Sequence, residues 1–483
     1  MEIVFVTAEI TPFSKVGGLA DVSSALPKAL RGLGHRVLVV TPLYRGIQTD
    51  RYSLARRLSR IEIPLGAKTH AVDVWDGRLP SGVEVCFIGC PGLIDRDVYG
   101  DADGAPYPDN HVRFSLLCRA ALEVCKMRER PVDIFHTHEW TTALLPLLLK
   151  HFHAGDRRIG AARTVFTIHN LAYQGIYDKT VIDEIGLPWS TFSPDGVEFY
   201  GKINLLKAGI VFSEALTTVS PTYARQMLTP EHGHGLDGLL RTRKDSLTGI
   251  LNGIDYSVWN PATDPALPAR YDAEETGGKV RCKAELQREL GLPVRPEAPV
   301  VGIVSRLVEQ KGLDLFGEVA TRVLRQDVQL VVLGSGEPNL RTMFQDLSRR
   351  FPDRVALRSG HDEGLAHRIY AGCDLCLMPS RFEPSGLTQM YAMRYGAVPI
   401  VRRTGGLTDS VVDCDATGES GTGFVFDDFE PAALLSAVER GLALHQDRRA
   451  FASLVRRCMR VDHSWDRSAR MYEQIYQELI GEP

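Results

Sequence analysis

The sequence predicts an α/β protein of two Rossmann-like, doubly wound domains facing a central cleft. Three observations carry that expectation. The chain opens on a strand, a glycine turn, a helix and a second strand; the same alternation starts afresh in the second half; and 483 residues are too many for one ordinary core.

Taken in order, EIVFVTA reads as a buried first strand and KVGG as its turn. LADVSSALPKALRGLG reads as a helix with Leu19, Val22, Leu26, Ala29, Leu30 and Leu33 on one face, and RVLVVTP completes a βαβ unit. VDIFHTH and TVFTIHN are the next strands, with apolar helices between or after them, the pattern of a parallel sheet covered on both faces. Around LTGILNGID the alternation pauses, and NPATDPALP, Asn260–Pro268, is expected to be a linker. Beyond it APVVGIVS, VQLVVLGSG, LCLMPS, VPIVRR and GFVF read as strands and GLDLFGEVATRVLRQ as a helix. A last helix runs from Ser464 to Ile480. The expected domains are 1–255, 256–463 and, as a helix packing back on the first domain, 464–483.

Hydrophobic residues at 44% and charged residues at 24% describe a soluble globular chain. A net charge of −4 gives no general attraction to nucleic acid or acidic lipid, so any anion site is local. The nine cysteines are scattered, which predicts free thiols in a reducing compartment. Cys373 and Cys376 form a CxxC inside an apolar run, with no second CxxC to complete a zinc site. His136 with His138, and His232 with His234, lack a third ligand at metal spacing, so neither metal nor cofactor is expected. The N-terminus has no basic region and long apolar stretch of a signal peptide, and the apolar run at Ala143–Leu149 is too short to span a bilayer. The expectation is a cytoplasmic protein without membrane or nucleic-acid partners.

Doubly wound domains bind ligands outside the carboxyl ends of their strands, and Lys15, Glu139, His169, Arg306, Lys311 and Glu383 all follow predicted strands. Arg306 ends GIVSR and Lys311 comes five residues later, before a helix. Two cations beside a helix N-terminus suit a diphosphate, although solvated surface cations look the same in sequence. Lys15 from the other lobe would close a cationic clamp able to stabilise a departing nucleoside diphosphate without a metal. In SRFEPSGLTQM a buried strand leads into Glu383, Pro384 and the helix-opening Gly386. A carboxylate for sugar hydroxyls and N–H groups for phosphate then emerge together; a helix-capping acid is the plainer alternative. KVGGLAD, Lys15–Asp21, returns as RTGGLTD, Arg403–Asp409, and a glycine pair between strand and helix lets backbone N–H groups approach an anion.

KVGGLADV, HTHEW, TIHNLAYQG, LNGID, SRLVEQKG, SRFEPSGLTQ and RRTGGLTD, in this order over almost the whole chain, closely resemble the bacterial and plant glycogen/starch synthases. The resemblance implies a GT-B fold and transfer of glucose from ADP-glucose to an α-1,4-glucan, glycogen or a maltooligosaccharide, with retention at the anomeric carbon. It implies an acceptor-side first domain and a nucleotide-sugar second domain. Residue by residue, it implies Lys15, Gly17, Gly18 and Asp21 at the donor, His169 near the transferred glucose, Arg306 and Lys311 on the diphosphate and Glu383 on the glucosyl hydroxyls. Gly386, Leu387 and Thr388 would lie beside the distal phosphate, with Glu139 of HTHEW and Asn252 of LNGID also binding substrate. Attack and departure then share one face, and the leaving phosphate takes the acceptor's proton.

Three positions depart from the family pattern. Glu139 stands where these enzymes often show Asp, Ser385 where some carry Cys, and His361 of HDEGLAHR where some carry an aromatic that stacks on adenine; Ser385 and His361 are still placed at the substrate. Metal-dependent transferases bind their donor through DxD, and DRD (Asp95–Asp97), DAD (Asp101–Asp103) and DCD (Asp413–Asp415) occur here. The first two fall in a polar, Gly-rich segment, and a calcium loop starting at DRDVYG is spoiled by Tyr99 and Pro106. Sucrose-type and maltose-phosphate-forming GT-B enzymes often carry a second Glu eight positions after the first, where this chain has Tyr391. A UDP-glucose donor stays open. KVGGLAD is not the GxGxxG of a dinucleotide oxidoreductase. A non-catalytic two-lobed nucleotide-sugar sensor is the alternative from another class.

Overall fold

The computed structural model describes residues 1–101 and 104–481. It divides into two units, Met1–Asn252 with the terminal segment from Trp465, and Gly253–Ser464. The strands of the first unit are β1 Glu2–Val6, β2 Arg36–Pro42, β3 Ala55–Leu65, β4 Lys68–Arg78, β5 Glu84–Gly89, β6 Ile134–His138, β7 Arg163–Ile168, β8 Ile176–Asp178, β9 Glu198–Phe199, β10 Lys202–Asn204, β11 Ala215–Thr218 and β12 Leu247–Gly249. The main sheet runs β12-β11-β7-β6-β1-β2-β5-β4-β3, while β8, β10 and β9 form a small antiparallel sheet of their own. From β12 to β5 every pairing is parallel; β4 and β3 extend the sheet antiparallel. β1 is buried along its length because it is hydrogen-bonded on both sides and covered on both faces, which is why its sequence is a continuous apolar run. The β3–β4 hairpin lies outside the sequence reading. Its charged residues face solvent at the sheet edge and interrupt any apolar pattern.

The helix Trp465–Ile480 belongs to this unit. Trp465, Ala469, Tyr472 and Tyr476 recur at helical spacing and enter the core containing Phe5, Val22, Leu26, Leu30 and Val39.

The second unit holds β13 Val300–Val304, β14 Gln329–Gly334, β15 Val355–Ser359, β16 Leu375–Met378, β17 Val398–Arg402 and β18 Phe424–Phe426, all parallel, in the order β15-β14-β13-β16-β17-β18. Asn260–Pro268, expected to link the domains, is instead packed into this unit. Asp264 is 3% exposed and accepts from Tyr395 Oη at 2.5 Å, with His367 Nδ1 at 2.6 Å. Trp259 beside it is stacked between the rings of His367 and Tyr391, at 3.9 and 3.8 Å. A buried carboxylate requires such partners, but they lie more than a hundred residues away, and local composition cannot reveal them. The chain passes between units at residues 252–253 and 464–465.

All nine cysteines are free and buried. Among the described residues no helix is long and apolar enough to cross a membrane.

Candidate active site

In the first unit the site residues gather after β1 and β6. The KVGG turn folds around a residue that the sequence reading did not single out. Glu9 Oε2 accepts from the backbone N–H groups of Val16 and Gly17 at 2.6 and 2.9 Å, and Glu9 Oε1 from Tyr99 Oη at 2.6 Å. Burial raises the Glu9 carboxyl above the usual range, against the pull of those three hydrogen bonds. Its only sequence signal is an acid three residues beyond the apolar run Ile3–Val6. Lys15 Nζ is 2.8 Å from Asp21 Oδ1, and Asp21 lies in the first turn of the helix Gly18–Gly32, where a carboxylate complements the dipole. A side chain at Gly17 would meet nothing within 4 Å, so packing does not demand this glycine.

After β6, Glu139 takes a left-handed backbone with φ +63°, a strained conformation for a residue other than glycine. Its Oε1 accepts from the N–H groups of His169 and Asn170, at the end of the neighbouring β7. Burial still pushes the Glu139 carboxyl up to about 8, with the Glu9 charge adding to the rise. Burial pulls the His169 imidazole down to about 3 and those of His136 and His138 well below their usual range, so all three rings are neutral near pH 7. His138 Nδ1 lies 3.0 Å from His169 Nε2, while His138 Nε2 is buried without a hydrogen-bond partner among the described residues. An orphaned buried N–H is rarer than an orphaned lone pair, so the favoured arrangement has His138 Nδ1–H donating to His169 Nε2. The remaining proton of His169 is then on Nδ1. Asn252, the last residue of this part of the chain, is buried with Oδ1 likewise unpartnered among the described residues.

In the second unit Lys311 Nζ lies 2.5 Å from Glu383 Oε2, and Ser380 Oγ donates to the same oxygen at 3.1 Å. The approach depends on Gly312. With φ +63° it turns the chain into the helix Leu313–Leu324, and a Cβ there would fall 2.0 Å from the Pro379 carbonyl oxygen. Arg381 N donates to Gln310 O at 2.9 Å, holding the two loops in register. Arg306 follows β13 and is exposed, with no side-chain partner among the described residues. Gly386, at φ +71°, precedes the helix Thr388–Arg394, and Leu387 caps it. Ser385 is buried beside this turn, while His361 is exposed in the loop before the helix Glu363–Gly372.

The second glycine pair serves this same loop. A Cβ on Gly405 would fall 2.0 Å from the Glu383 carbonyl oxygen and one on Gly406 2.1 Å from that of Ser385, and Gly406 N donates to Glu383 O at 3.0 Å. RTGGLTD is therefore a backbone buttress for Glu383. Arg403 itself pairs with Asp427 at the surface.

Among the described residues, Asp95, Asp413 and Asp415 of the DxD motifs serve local structure. Asp413 binds Arg440 and the Val425 N–H, Asp415 closes the turn 417–420, and Asp95 accepts from Gly92 N; Asp103 lies outside the described residues. Among the described residues no three His, Cys, Asp or Glu side chains gather as a metal site. Tyr391, where some transferases carry a second acid, is engaged with Trp259.

Comparison with known proteins identifies the family and the fold. A starch synthase catalytic domain model matches residues 2–242 and a glycosyl transferases group 1 model matches residues 289–456. The chain superposes on the catalytic domain of starch synthase IV from Arabidopsis thaliana, bound to ADP and acarbose, with a TM-score of 0.93 at 37% identity, covering 100% of this chain and 99% of that one. A sucrose-phosphate synthase from Thermosynechococcus elongatus, 17% identical with a TM-score of 0.61 over 99% of both chains, shares the fold. These matches define a glycosyltransferase of the GT-B fold. Glycogen synthases of Anaeromyxobacter sp. and Myxococcus xanthus are 50% and 46% identical to the chain, each over 100% of both sequences. The chain belongs to the glycogen/starch synthase family.

Proposed function

We propose that the protein transfers glucose from ADP-glucose to the non-reducing end of an α-1,4-glucan with retention of configuration, in the cytoplasm. The observation that carries this reading is the Lys311–Glu383 pair, braced by three glycines, in a chain that matches glycogen synthases from end to end.

In this reading Arg306 and Lys311 hold the diphosphate and Glu383 accepts from the glucosyl hydroxyls, while Gly386, Leu387, Thr388 and Ser385 lie at the distal phosphate. The first N–H groups of a helix have no intrahelical acceptor, and that suits a phosphate oxygen. His361 lies toward the base. Lys15, Gly17, Gly18 and Asp21 serve the donor from the first unit, and Glu139 and Asn252 help bind substrate. A neutral His169 bonds a hydroxyl of the transferred glucose, as its lowered basicity favours hydrogen bonding over proton transfer. The C1–O bond to the diphosphate breaks as the acceptor hydroxyl attacks the same face. The departing phosphate oxygen takes the acceptor's proton, and Arg306 and Lys311 stabilise the charge that develops on it.

Incubation with labelled ADP-glucose and glycogen tests the reading. Labelled polymer with release of ADP supports it. Binding of ADP-glucose without ADP release would instead indicate a nucleotide-sugar sensor.

A further inference from the structure

In the first unit, the chain between β7 and β11 carries the small sheet β8-β10-β9. β9 and β10 are joined by the two-residue turn Tyr200–Gly201, with φ +49° and +78°. Two positive φ values define a hairpin turn whose first position suits Asn, Asp or Gly. Tyrosine stands there instead, and it is 83% exposed. A bulky residue is strained in this backbone region, and a ring so open to solvent recovers little by burial.

The surrounding structure nevertheless holds the turn firmly. The Phe199 ring meets Tyr200 edge-on at 4.7 Å and packs against the core formed by Phe166, Leu236 and Leu240. Gly235, at φ +80°, makes room for it, because a Cβ there would lie 3.0 Å from Phe199 and 3.6 Å from Tyr200. Gly201 N donates to Glu198 Oε1 at 2.7 Å across the turn. Asn204 Nδ2 donates to Gln174 Oε1 at 2.6 Å and Gln174 Nε2 to His234 O at 3.1 Å, tying the hairpin to the loop that carries Gly235. Strain retained by such bracing points to function rather than to folding.

We propose that Tyr200 is a stacking platform for an α-glucan chain, additional to the residues assigned above to donor and glucosyl transfer. The inference rests on the glucan-elongating reading. A rigid exposed aromatic suits a partner with a flat apolar face and a polar rim, and a pyranose ring has one: C–H groups on its face and hydroxyls around its edge. Lys202 follows the turn and is exposed, and Glu198 precedes it, half-buried with Oε1 accepting from Gly201 N, so the ammonium is the nearer polar partner for those hydroxyls. A single ring is too small a patch for a stable protein interface, and stacking needs no charge. A weak contact of this kind gains force on a branched polymer, where a tethered chain has a high effective concentration.

The test compares the parent protein with Tyr200→Asn and Tyr200→Trp in glycogen-affinity electrophoresis, with thermal unfolding alongside. Asn fits the left-handed turn, so Tyr200→Asn keeps or raises the melting temperature while glycogen affinity falls about fivefold to tenfold. Tyr200→Trp stays within about twofold of the parent. Equal retention of parent and Tyr200→Asn, including none by either, would overturn the proposal, as would lost binding accompanied by a lowered melting temperature. Labelling of polymer from ADP-glucose reads the underlying function separately. Polymer labelling with equal retention removes the platform alone, and Tyr200-dependent retention without labelling removes the transferase reading alone.

Discussion

Lys311 and Glu383 are each other's partners: the ammonium lies 2.5 Å from the carboxylate, which is 7% exposed at its side chain. Removing the cation alone leaves a buried charge with, among the described residues, Ser380 as its remaining side-chain donor. Lys311→Ala should therefore cost about 1–3 kcal/mol of stability. Adding Glu383→Gln removes the stranded charge and should recover most of the lost melting temperature, while glucosyl transfer stays low in both variants. A double variant that melts no higher than Lys311→Ala would show that the pair does not hold the loop.

The two glycine pairs should respond oppositely to the same change. Gly17 has an extended backbone, φ −145°, and open space at its Cβ, so Gly17→Ala should leave stability within about 1 kcal/mol of the parent. Gly406→Ala places a methyl 2.1 Å from the Ser385 carbonyl oxygen and must displace the loop that carries Glu383. A loss of at least about 2 kcal/mol is expected, together with a large fall in transfer. Thermal unfolding of both variants, side by side, checks the contrast.

Stability should peak near pH 6.5, where the gain from three histidines is complete and the loss from buried carboxyls continues. The folded state holds His169 at about 3, below its unfolded value of 6.5, and lowers His136 and His138 in the same direction. Below 6.5 the unfolded chain binds more protons at these rings, so their contribution is complete above 6.5 and lost as pH falls toward 3. Glu139 is raised from 4.5 to about 8, so there the folded state binds more protons, and stability declines as pH rises from 4.5 through about 8. Glu9 shifts in the same direction. Glu139→Gln should flatten the decline above pH 6.5 and, because Glu139 opposes the histidines from pH 4.5 upward, steepen the rise between pH 4.5 and 6.5 in a melting-temperature profile. An alkaline limb unchanged by this substitution would remove Glu139 as its source.

Much of this fold is legible in the sequence because buried parallel strands such as β1 and β13 are continuous apolar runs, and their carboxyl ends mark where ligand residues emerge. KVGGLAD and RTGGLTD show the limit. The two stretches are almost the same in sequence, yet one wraps the Glu9 carboxylate with room to spare and the other presses its bare backbone against Glu383 and Ser385. What packs against a glycine is decided by distant chain, so the motif alone cannot tell the two uses apart. Glu9 escapes notice for a related reason, since its partners Tyr99, Val16 and Gly17 come together only on folding. Asn260–Pro268 reads as a linker because the partners of Asp264, His367 and Tyr395, are equally remote.

Metal-free glucosyl transfer resting on Lys311 and Glu383 is tested by initial rates of glucose transfer from labelled ADP-glucose to glycogen, in excess chelator, for the parent, Lys311→Ala and Glu383→Ala, with UDP-glucose as the competing donor. The parent should label polymer under these conditions and prefer ADP-glucose, and each variant should fall on the order of a hundred- to a thousandfold, the scale of a lost electrostatic contact to the transition state. Transfer at the parent rate by both variants would contradict that dependence on Lys311 and Glu383.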